Sequence, residues 1–312
     1  MIVLSVVILA SAVLAILAAL KTLVNCYVAA STEEETLRKL DKLLAAGFSV
    51  TSDPLGEFVR DASQIPAIID AYLKRIDGLA DLQRRYPKRM VSLAIKPSRL
   101  GLGLSEKQFI SDCVPLLSRT ARAGVFVWFD AEKRESQEAA LGAVVKLKNM
   151  GFGDMGHAVQ SVHSSSRTAA LRLAANDIPV RVVKGAYKDG DVKSPDAVNS
   201  LFMGIYEIAD ALSHNCRFVA VGTHDEAALS PIVKLSNRLE RQYQFLYGIR
   251  TRLQEKYLGD GLNVLIYVPD GTFRNAVGYF TRRLREGVQM NTVKMFIRNV
   301  WESREFRKKY GL

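Results

Sequence analysis

Four polar residues near the end of the chain, Tyr279, Arg282, Arg283 and Glu286, have the spacing of one helix face. At about 100° per residue, Tyr279 lies one turn before the arginines and Glu286 one turn after them. Two adjacent guanidinium groups offer a fork of N–H donors that matches a carboxylate and stays charged near neutral pH. A solvated basic helix face with ordinary ion pairs has the same pattern. The segments upstream favour the carboxylate-binding interpretation.

Those upstream segments are short β-rich runs, and most of them end in a polar side chain. They are Phe48–Asp53, Val91–Lys96, Val125–Asp130, His157–Gln160, Pro179–Tyr187, Phe218–His224, Tyr243–Gly248 and Val264–Pro269. Partly amphipathic stretches of helix length lie between them, for example Ser63–Arg75, Ser105–Ala123, Glu135–Met150, Ser164–Asn176 and Ala197–Asn215. The alternation predicts a parallel sheet, and the nearly continuous Val, Ile, Phe and Ala predict strands that are buried on both faces.

Eight strand–helix units in roughly 250 residues predict an α/β fold, a closed (β/α)8 barrel of the TIM type. Barrels of this type build their sites at the mouth formed by the carboxyl ends of the strands. The residues expected to meet there are Lys96, Asp130, Gln160, Arg181, Lys184, Thr223, His224 and Tyr267. No Gly-rich dinucleotide fingerprint follows a strand, because Gly101 and Gly103 do not complete one.

Composition narrows the class of protein further. The 312 residues allow one barrel and show no linker, low-complexity segment or internal repeat. The net charge of +11 suits an anionic membrane surface or an anionic substrate, and no nucleic-acid-binding motif accompanies it. Cys26, Cys113 and Cys216 lack a disulfide spacing, which favours a reducing compartment. No His/Cys group has the spacing of a zinc site, so no metal site is predicted.

Eight motifs occur in a fixed order along the chain. They are LGE at Leu55–Glu57, the strand ending in Lys96, FDAE at Phe129–Glu132, Gln160, PVRVVKGAY at Pro179–Tyr187, TH at Thr223–His224, YVP at Tyr267–Pro269 and RRLRE at Arg282–Glu286. Through this ordered set the chain resembles the proline dehydrogenase family, FAD-dependent barrel enzymes that oxidise L-proline. Each motif alone is weak, but the order and the strand–helix spacing are specific. The resemblance runs from about Tyr27 past Arg285.

The resemblance implies a pocket for L-proline. Its substrate-binding residues would be Lys96, Tyr267, Tyr279, Arg282 and Arg283. The two guanidinium groups would bind the carboxylate of the substrate by bidentate hydrogen bonds, and the lysine would add a third positive charge. The two tyrosine rings would pack against the pyrrolidine ring. Glu286 would hold the guanidinium planes in place from behind.

The resemblance also implies FAD as the cofactor. The residues that would bind it are Ala131, Gln160, Arg181, Lys184, Gly185, Ala186, Tyr187, Thr223 and His224. Arg181 would lie near flavin N5, and Asp130 would orient it or hydrogen-bond near the flavin, so these two are the implied catalytic residues. Hydride would pass from C5 of proline to N5, giving 1-pyrroline-5-carboxylate in the first step of proline catabolism. The group that takes the proton from the amine is not identified.

A membrane quinone is the predicted electron acceptor, because reduced flavin needs an oxidant and the chain shows no nicotinamide-binding motif; oxygen is the alternative acceptor if the site is open. Because the chain has no region for a second, NAD-dependent domain that oxidises aldehydes, the product would pass to a separate pyrroline-5-carboxylate dehydrogenase. Two alternatives remain, a barrel of the same family acting on another cyclic amino acid such as hydroxyproline, and a catalytically idle, membrane-bound barrel.

Two positions depart from the family pattern. Gly287 stands where family members have Asn, and Asp270 and Gly271 follow YVP in place of an aromatic residue and Gly. The extra carboxylate is expected to alter either the surroundings of the flavin or the gate over the site.

The N-terminal run is the second informative region. Residues Ile2–Leu20 carry no charge, and as a helix they would span about 29 Å, close to the ~30 Å hydrocarbon core of a bilayer. We therefore predict that residues 1–30 form a hydrophobic membrane anchor for a barrel of residues 31–312. Lys21 and Arg38 after the run place the barrel on the cytoplasmic side of a bacterial inner membrane. A cleaved signal peptide and a helix packed on the barrel are the alternatives.

Overall fold

The computed structural model describes residues 24–56, 58–185, 189–236, 238–272, 275–276 and 293–312, and for residues 293–297 the backbone alone. The strands are β1 (Ser49–Pro54), β2 (Val91–Ile95), β3 (Phe126–Phe129), β4 (Met155–Gln160), β5 (Val180–Val183), β6 (Phe218–Gly222), β7 (Glu240–Leu246) and β8 (Asn263–Asp270). The α-helices are α1 (Glu33–Ala45), α2 (Ile65–Arg85), α3 (Glu106–Ala123), α4 (Arg134–Asn149), α5 (Ser166–Ala175), α6 (Pro195–Leu212), α7 (Glu226–Lys234), α8 (Thr251–Gly259) and α9 (Val293–Tyr310).

Every strand is parallel to both of its neighbours. Pairing runs in chain order from β1 to β8, and β8 pairs back with β1 and closes the barrel. The closing pair is in register from Ser49 with Leu265 to Pro54 with Asp270. The predicted (β/α)8 barrel is confirmed, and the carboxyl ends of its strands form one mouth.

Helix limits follow the local sequence where capping residues are present. The Ser105 side chain accepts a hydrogen bond from the Gln108 N–H at 3.2 Å and so starts α3. Gly124, with a φ of 67°, ends the same helix in the left-handed conformation. In α6 the Ser194 side chain caps the first turn, and Pro195 occupies the first turn, where no N–H is needed.

The limit predicted for the second helix is wrong. The helix expected over Ser63–Arg75 is α2, which continues to Arg85. Leu79 and Leu82 are buried in the continuation, and a Cβ at Gly78 would collide with Leu37 of α1. Packing between α1 and α2 therefore extends a helix that the local pattern ends early.

Apolar side chains pack in two layers around the strands. Because successive side chains of a strand point to opposite faces, Val127 and Phe129 of β3 face the helices while Phe126 and Trp128 face the barrel interior. Inside the barrel the rings of Phe126, Trp128 and Phe218 have centroids 5.0–5.9 Å apart. This aromatic layer fills the barrel below the mouth.

The segment before α1 lies along the end of β8. The N–H of Ala29 donates to the carbonyl of Pro269 at 2.8 Å, and the N–H of Gly271 donates to the carbonyl of Ala30 at 3.0 Å. No helix among the described residues is both long and apolar enough to cross a bilayer. The predicted anchor falls mostly on residues 1–23, which lie outside the described residues, and the division at residue 30 stays a prediction.

Candidate active site

Five residues from the carboxyl half of the barrel converge at its mouth. Asp53 lies in β1, Lys96 follows β2, Asp130 follows β3, Arg181 lies in β5 and Tyr267 lies in β8. These five residues, called the mouth cluster below, include four charged side chains that are at most 14% exposed. Two cations face two carboxylates, so the charges of the cluster balance.

Asp130 is the centre of the mouth cluster. Its Oδ1 accepts a hydrogen bond from Nη1 of Arg181 at 2.8 Å, and its Oδ2 accepts one from the hydroxyl of Tyr267 at 2.5 Å. The ammonium nitrogen of Lys96 lies 3.5 Å from the same Oδ2. One carboxylate therefore fixes the positions of an arginine, a tyrosine and a lysine that come from three different strands.

Lys96 is held in its charged form. Its ammonium group forms an ion pair with Asp53 and lies 3.4 Å from the hydroxyl oxygen of Tyr267. Burial disfavours the ammonium charge, but the carboxylates of Asp53 and Asp130 outweigh it and raise the pKa of Lys96 above its usual value. The lysine therefore offers a positive charge to a ligand at any physiological pH.

Arg181 is the least satisfied member of the mouth cluster. Its guanidinium group stacks over the ring of Trp128 at 4.3 Å and lies 5.3 Å from the ring centre of Tyr267. Burial lowers its pKa, although the charge of Asp130 opposes the change, and an arginine remains protonated in proteins. Its Nε and Nη2 are buried and have no hydrogen-bond partner among the described residues. Buried donors without a partner are rare, so these N–H groups are available to a ligand.

Tyr267 acts in the mouth cluster as a hydrogen-bond donor. Burial and then the carboxylates of Asp130 and Asp53 raise the pKa of Tyr267 well above its ordinary value. The hydroxyl therefore stays protonated and donates to Asp130.

Glu132 and Gln160 tie the loops after β2, β3 and β4 together. The N–H and the hydroxyl of Ser98 donate to the two carboxylate oxygens of Glu132 at 2.7 and 2.5 Å. The side-chain amide of Gln160 donates to the carbonyl of Glu132 at 2.7 Å. Ala131, next to Glu132, is partly exposed. The backbone at Ala131 is thus held firmly at the rim of the mouth.

Lys184 and Gly185 begin the loop after β5. The ammonium group of Lys184 forms an ion pair with Asp225, whose side chain caps α7. Gly185 has a φ of 120°, a conformation that residues with a side chain rarely adopt. A Cβ there would collide with Val162 and would lie 3.1 Å from Oε1 of Gln160. Both the backbone and the packing of this loop therefore require glycine.

Thr223 and His224 lie between β6 and α7. The hydroxyl oxygen of Thr223 accepts a hydrogen bond from the N–H of Asp225 at 3.3 Å. Nε2 of His224 accepts one from the N–H of Leu246 at 3.0 Å, and its ring packs on Phe245 at 5.8 Å. One ring nitrogen of His224 therefore binds the backbone at the end of β7.

The mouth cluster contains four of the site residues predicted from the sequence, Lys96, Asp130, Arg181 and Tyr267. Gln160, Lys184, Thr223 and His224 lie outside the cluster, at the ends of β4, β5 and β6 on the same side of the barrel. The predicted residues that lie outside the described part of the chain are Ala186, Tyr187, Tyr279, Arg282, Arg283 and Glu286. Their roles stay predictions.

Sequence reasoning missed Asp53 and Trp128. Asp53 ends the first predicted strand, and its position matches that of Lys96 and Asp130 at the ends of the next two. Trp128 precedes Asp130 by two residues, and the alternation of a strand places both side chains inside the barrel. The position at a strand end was therefore the available signal for Asp53, and the alternation was the signal for Trp128.

Asp270, the carboxylate that departs from the family pattern, is directed toward α2. Its two oxygens accept hydrogen bonds from Nη1 and Nη2 of Arg75, each at 2.8 Å. The same Nη1 donates to the hydroxyl oxygen of Ser52 at 2.6 Å. This buried bidentate pair joins α2 to the β1–β8 seam, behind the mouth cluster.

Cys26, Cys113 and Cys216 are all described, all buried and not joined by a disulfide. Within the described ranges no group of His, Cys, Asp and Glu side chains is arranged to hold a metal ion.

Comparison with known proteins gives one consistent family. The family model described as proline dehydrogenase matches residues 36–294. The chain is similar to proline dehydrogenase 1 of Bacillus subtilis (strain 168), with 28% identity over 280 residues that cover 83% of this chain and 85% of that protein. It is also similar to the proline dehydrogenase of Deinococcus radiodurans, with 25% identity over 272 residues covering 83% and 84% of the two chains.

A solved structure shares the fold. The crystal structure of proline utilization A from Bdellovibrio bacteriovorus, inactivated by N-propargylglycine, superposes with a TM-score of 0.78 at 18% identity. The match covers 86% of this chain and 33% of that one, so the present chain corresponds to about a third of the larger protein.

Proposed function

Because the chain belongs to the proline dehydrogenase family, and is therefore an oxidoreductase acting on proline, we propose that it oxidises L-proline to 1-pyrroline-5-carboxylate with FAD as its cofactor. The observation that carries the proposal is the mouth cluster. It presents a charged lysine and a permanently charged arginine, two of whose donors have no partner among the residues that the structure describes, at the end of the barrel where this fold places its chemistry. The same cluster argues against a catalytically idle barrel, which has no need of buried cations there.

The described residues fit a flavin at the mouth. Nε and Nη2 of Arg181 are buried donors that have no hydrogen-bond partner in the described part of the chain, and they suit the acceptor atoms of an isoalloxazine edge. Gly185, at the start of the loop after β5, has a φ of 120°, and a residue without a side chain at this point lets the backbone approach a ligand closely. When bound, FAD supplies the hydride acceptor that the twenty side chains lack. Arg181 would stabilise negative charge that develops on this acceptor, and Asp130 would keep the guanidinium plane oriented.

The proline side of the pocket is assigned to Lys96 and Tyr267. The Lys96 ammonium would attract the substrate carboxylate, and the Tyr267 ring would form an apolar wall while its hydroxyl stays bound to Asp130. Tyr279, Arg282 and Arg283 would be the remaining substrate contacts, and Glu286 would hold the two guanidinium groups in place. The charges of the mouth cluster cancel, so Arg282 and Arg283 would give the site a net positive charge. A net positive charge favours the binding of an amino acid carboxylate.

A membrane quinone is the proposed electron acceptor, and a bacterial inner membrane with the barrel on the cytoplasmic side is the proposed location. Support comes from the uncharged run Ile2–Leu20, which as a helix would have about the length of a bilayer core. The product would pass to a separate pyrroline-5-carboxylate dehydrogenase. This arrangement keeps proline oxidation and aldehyde oxidation on two proteins.

Product analysis with a panel of substrates and acceptors tests the proposal. The full chain, purified in a mild detergent with FAD, is given L-proline or trans-4-hydroxy-L-proline together with a quinone analogue or NAD+. We expect 1-pyrroline-5-carboxylate, detected as its adduct with an aromatic amine, from L-proline and the quinone. Arg181→Met should abolish the product, whereas Arg122→Met on the exposed surface of α3 should not. A preference for hydroxyproline, or turnover with NAD+ alone, would refute the substrate or the acceptor assignment respectively.

A further inference from the structure

The outer face of α9 carries a tryptophan among basic side chains. Trp301 is 50% exposed, and the guanidinium group of Arg252 from α8 stacks over its ring at 4.8 Å. Arg298 and Arg304, about one turn before and after the tryptophan, are also exposed. An indole ring among cations is typical of a helix that lies at a membrane interface, because the ring prefers the headgroup level and the cations attract anionic lipid.

The charge exposed on this face is mainly positive. The α9 sequence holds six basic and two acidic residues. One of the acids, Glu302, is only 4% exposed and lies beneath the side chains of Arg298 and Arg252, at 2.7 and 3.9 Å. Glu305 is the exposed acid on the helix. A partner approaching this face from outside therefore meets one exposed carboxylate, that of Glu305, among several guanidinium and ammonium groups, so the net charge that it meets is positive.

The inner face of α9 holds the segment through which the apolar run enters the barrel. The hydroxyl of Ser303 donates to the carbonyl of Cys26 at 3.3 Å, and Nη1 of Arg307 donates to the carbonyl of Asn25 at 3.2 Å. Leu20, the last residue of the apolar run, precedes Val24 by four residues, a distance of at most ~15 Å along an extended chain. A bilayer that holds the run therefore begins close to α9.

The outer face of α9, which carries Trp301, lies toward the mouth end of the barrel. Arg252 belongs to the first turn of α8, which follows the carboxyl end of β7 after a short turn. The carboxyl ends of the strands form the mouth, so the Trp301–Arg252 contact lies on that half of the barrel. A lipid surface in contact with Trp301 would thus lie beside the entrance to the mouth cluster.

We propose that Arg252, Arg298, Trp301, Arg304 and Lys308 form a docking surface for anionic lipid headgroups. The inference rests on the proposed membrane location and specifies which surface of the barrel meets the bilayer. Lipid is favoured over nucleic acid because the exposed tryptophan suits a headgroup layer and because the apolar run joins the barrel next to it. The surface would bring the mouth within reach of a lipid-soluble acceptor.

Fluorescence of Trp301 tests the docking surface directly. The chain has two tryptophans, and the other, Trp128, is fully buried inside the barrel. The FAD-loaded full chain and its Trp301→Phe variant are mixed with vesicles of brominated phosphatidylcholine, with or without one third phosphatidylglycerol, and then floated on a density gradient. The difference between the two proteins gives the emission of Trp301 alone. We expect it to shift to shorter wavelength and to be quenched by bromine in the anionic vesicles.

Two charge-reversal variants separate this surface from general electrostatics. Arg304→Glu combined with Lys308→Glu should lower the quenched fraction of Trp301 emission at least fivefold, since each basic residue near an anionic surface contributes about fivefold in partitioning. Lys107→Glu combined with Arg122→Glu makes the same charge change on the exposed face of α3 and should leave it unchanged.

The outcomes distinguish this surface from the proposed reaction and location. A chain that floats with the vesicles while Trp301 emits as it does in buffer would refute the docking surface and leave the membrane location standing. A chain that does not float would refute both. Equal quenching in vesicles without phosphatidylglycerol would refute the recognition of anionic lipid. Oxidation of L-proline by a soluble dye in the same samples reports on the proposed reaction independently of all three.

Discussion

Removal of either partner of the Asp53–Lys96 ion pair should destabilise the barrel more than removal of both. In Asp53→Asn the buried ammonium group of Lys96 loses its ion pair but still has two neighbours. They are the carboxylate of Asp130 at 3.5 Å and the hydroxyl of Tyr267 at 3.4 Å. The expected loss in free energy of unfolding is therefore about 3 kcal/mol, the lower end of the range for breaking a buried pair.

Lys96→Met should cost more, because it leaves a carboxylate in a poorer environment. The Asp53 side chain is 1% exposed, and its Oδ2 has no hydrogen-bond partner among the described residues. About 4 kcal/mol is expected. The double variant removes both charges and should lose only about 1–2 kcal/mol, so the coupling energy between the two positions is about 5 kcal/mol.

Urea unfolding of the four proteins in a mild detergent, followed by circular dichroism at neutral pH, gives the coupling energy. The matched control is the pair of Asp77 with Arg119, whose side chains are 54% and 51% exposed. Its cycle, with Asp77→Asn and Arg119→Met, should give less than about 1 kcal/mol. A coupling energy at Asp53 and Lys96 as small as the control value would refute the argument that burial makes this pair interdependent.

Three further perturbations test other parts of the barrel. Burial and then the charge of Arg181 lower the pKa of His157 to about 4, below its unfolded value, so stability should fall by on the order of 3 kcal/mol as the pH drops from 6.5 to 4. His157→Gln should flatten that part of the curve of urea midpoint against pH, and an unchanged slope would contradict the assignment. Gly185→Ala should lower the flavin content of the purified protein, because the added Cβ would collide with Val162 and the loop after β5 must rearrange. Gly153→Ala is the control, since a Cβ there meets no atom within 4 Å, and it should retain the flavin. Equal flavin content in both variants would show that the loop tolerates a side chain. Arg282→Ala should lower kcat/KM for L-proline by roughly 30- to 1,000-fold, with poor rescue by lysine, and wild-type kinetics would remove this residue from the proposed carboxylate clamp.

The barrel was predictable because its signal is repeated eight times. Each strand is a short apolar run, and a polar residue at or near the end of most of them marks the mouth, as Lys96 and Asp130 do. The length of α2 was not predictable from its own residues, because Leu79 and Leu82 continue the helix through packing that depends on where α1 lies.

The members of the site were easier to predict than their partners. Arg181 and Tyr267 stood out as polar residues in apolar strands, but the carboxylate that joins them, Asp130, is linked to them only through the closure of the barrel. The partner of Asp270 was also not predictable, since Arg75 lies 195 residues away in the chain and binds Asp270 from a neighbouring helix. Pairings of this kind depend on tertiary geometry and leave no local pattern.

Anaerobic titration of the purified, FAD-containing chain with L-proline tests the central claim most directly. If the mouth cluster holds the flavin and the substrate together, the visible absorption of the oxidised flavin should bleach on addition of L-proline and return on addition of a quinone analogue. NADH should not cause the bleaching. A chain that binds no flavin, or whose flavin spectrum is unchanged by saturating L-proline, would contradict the account.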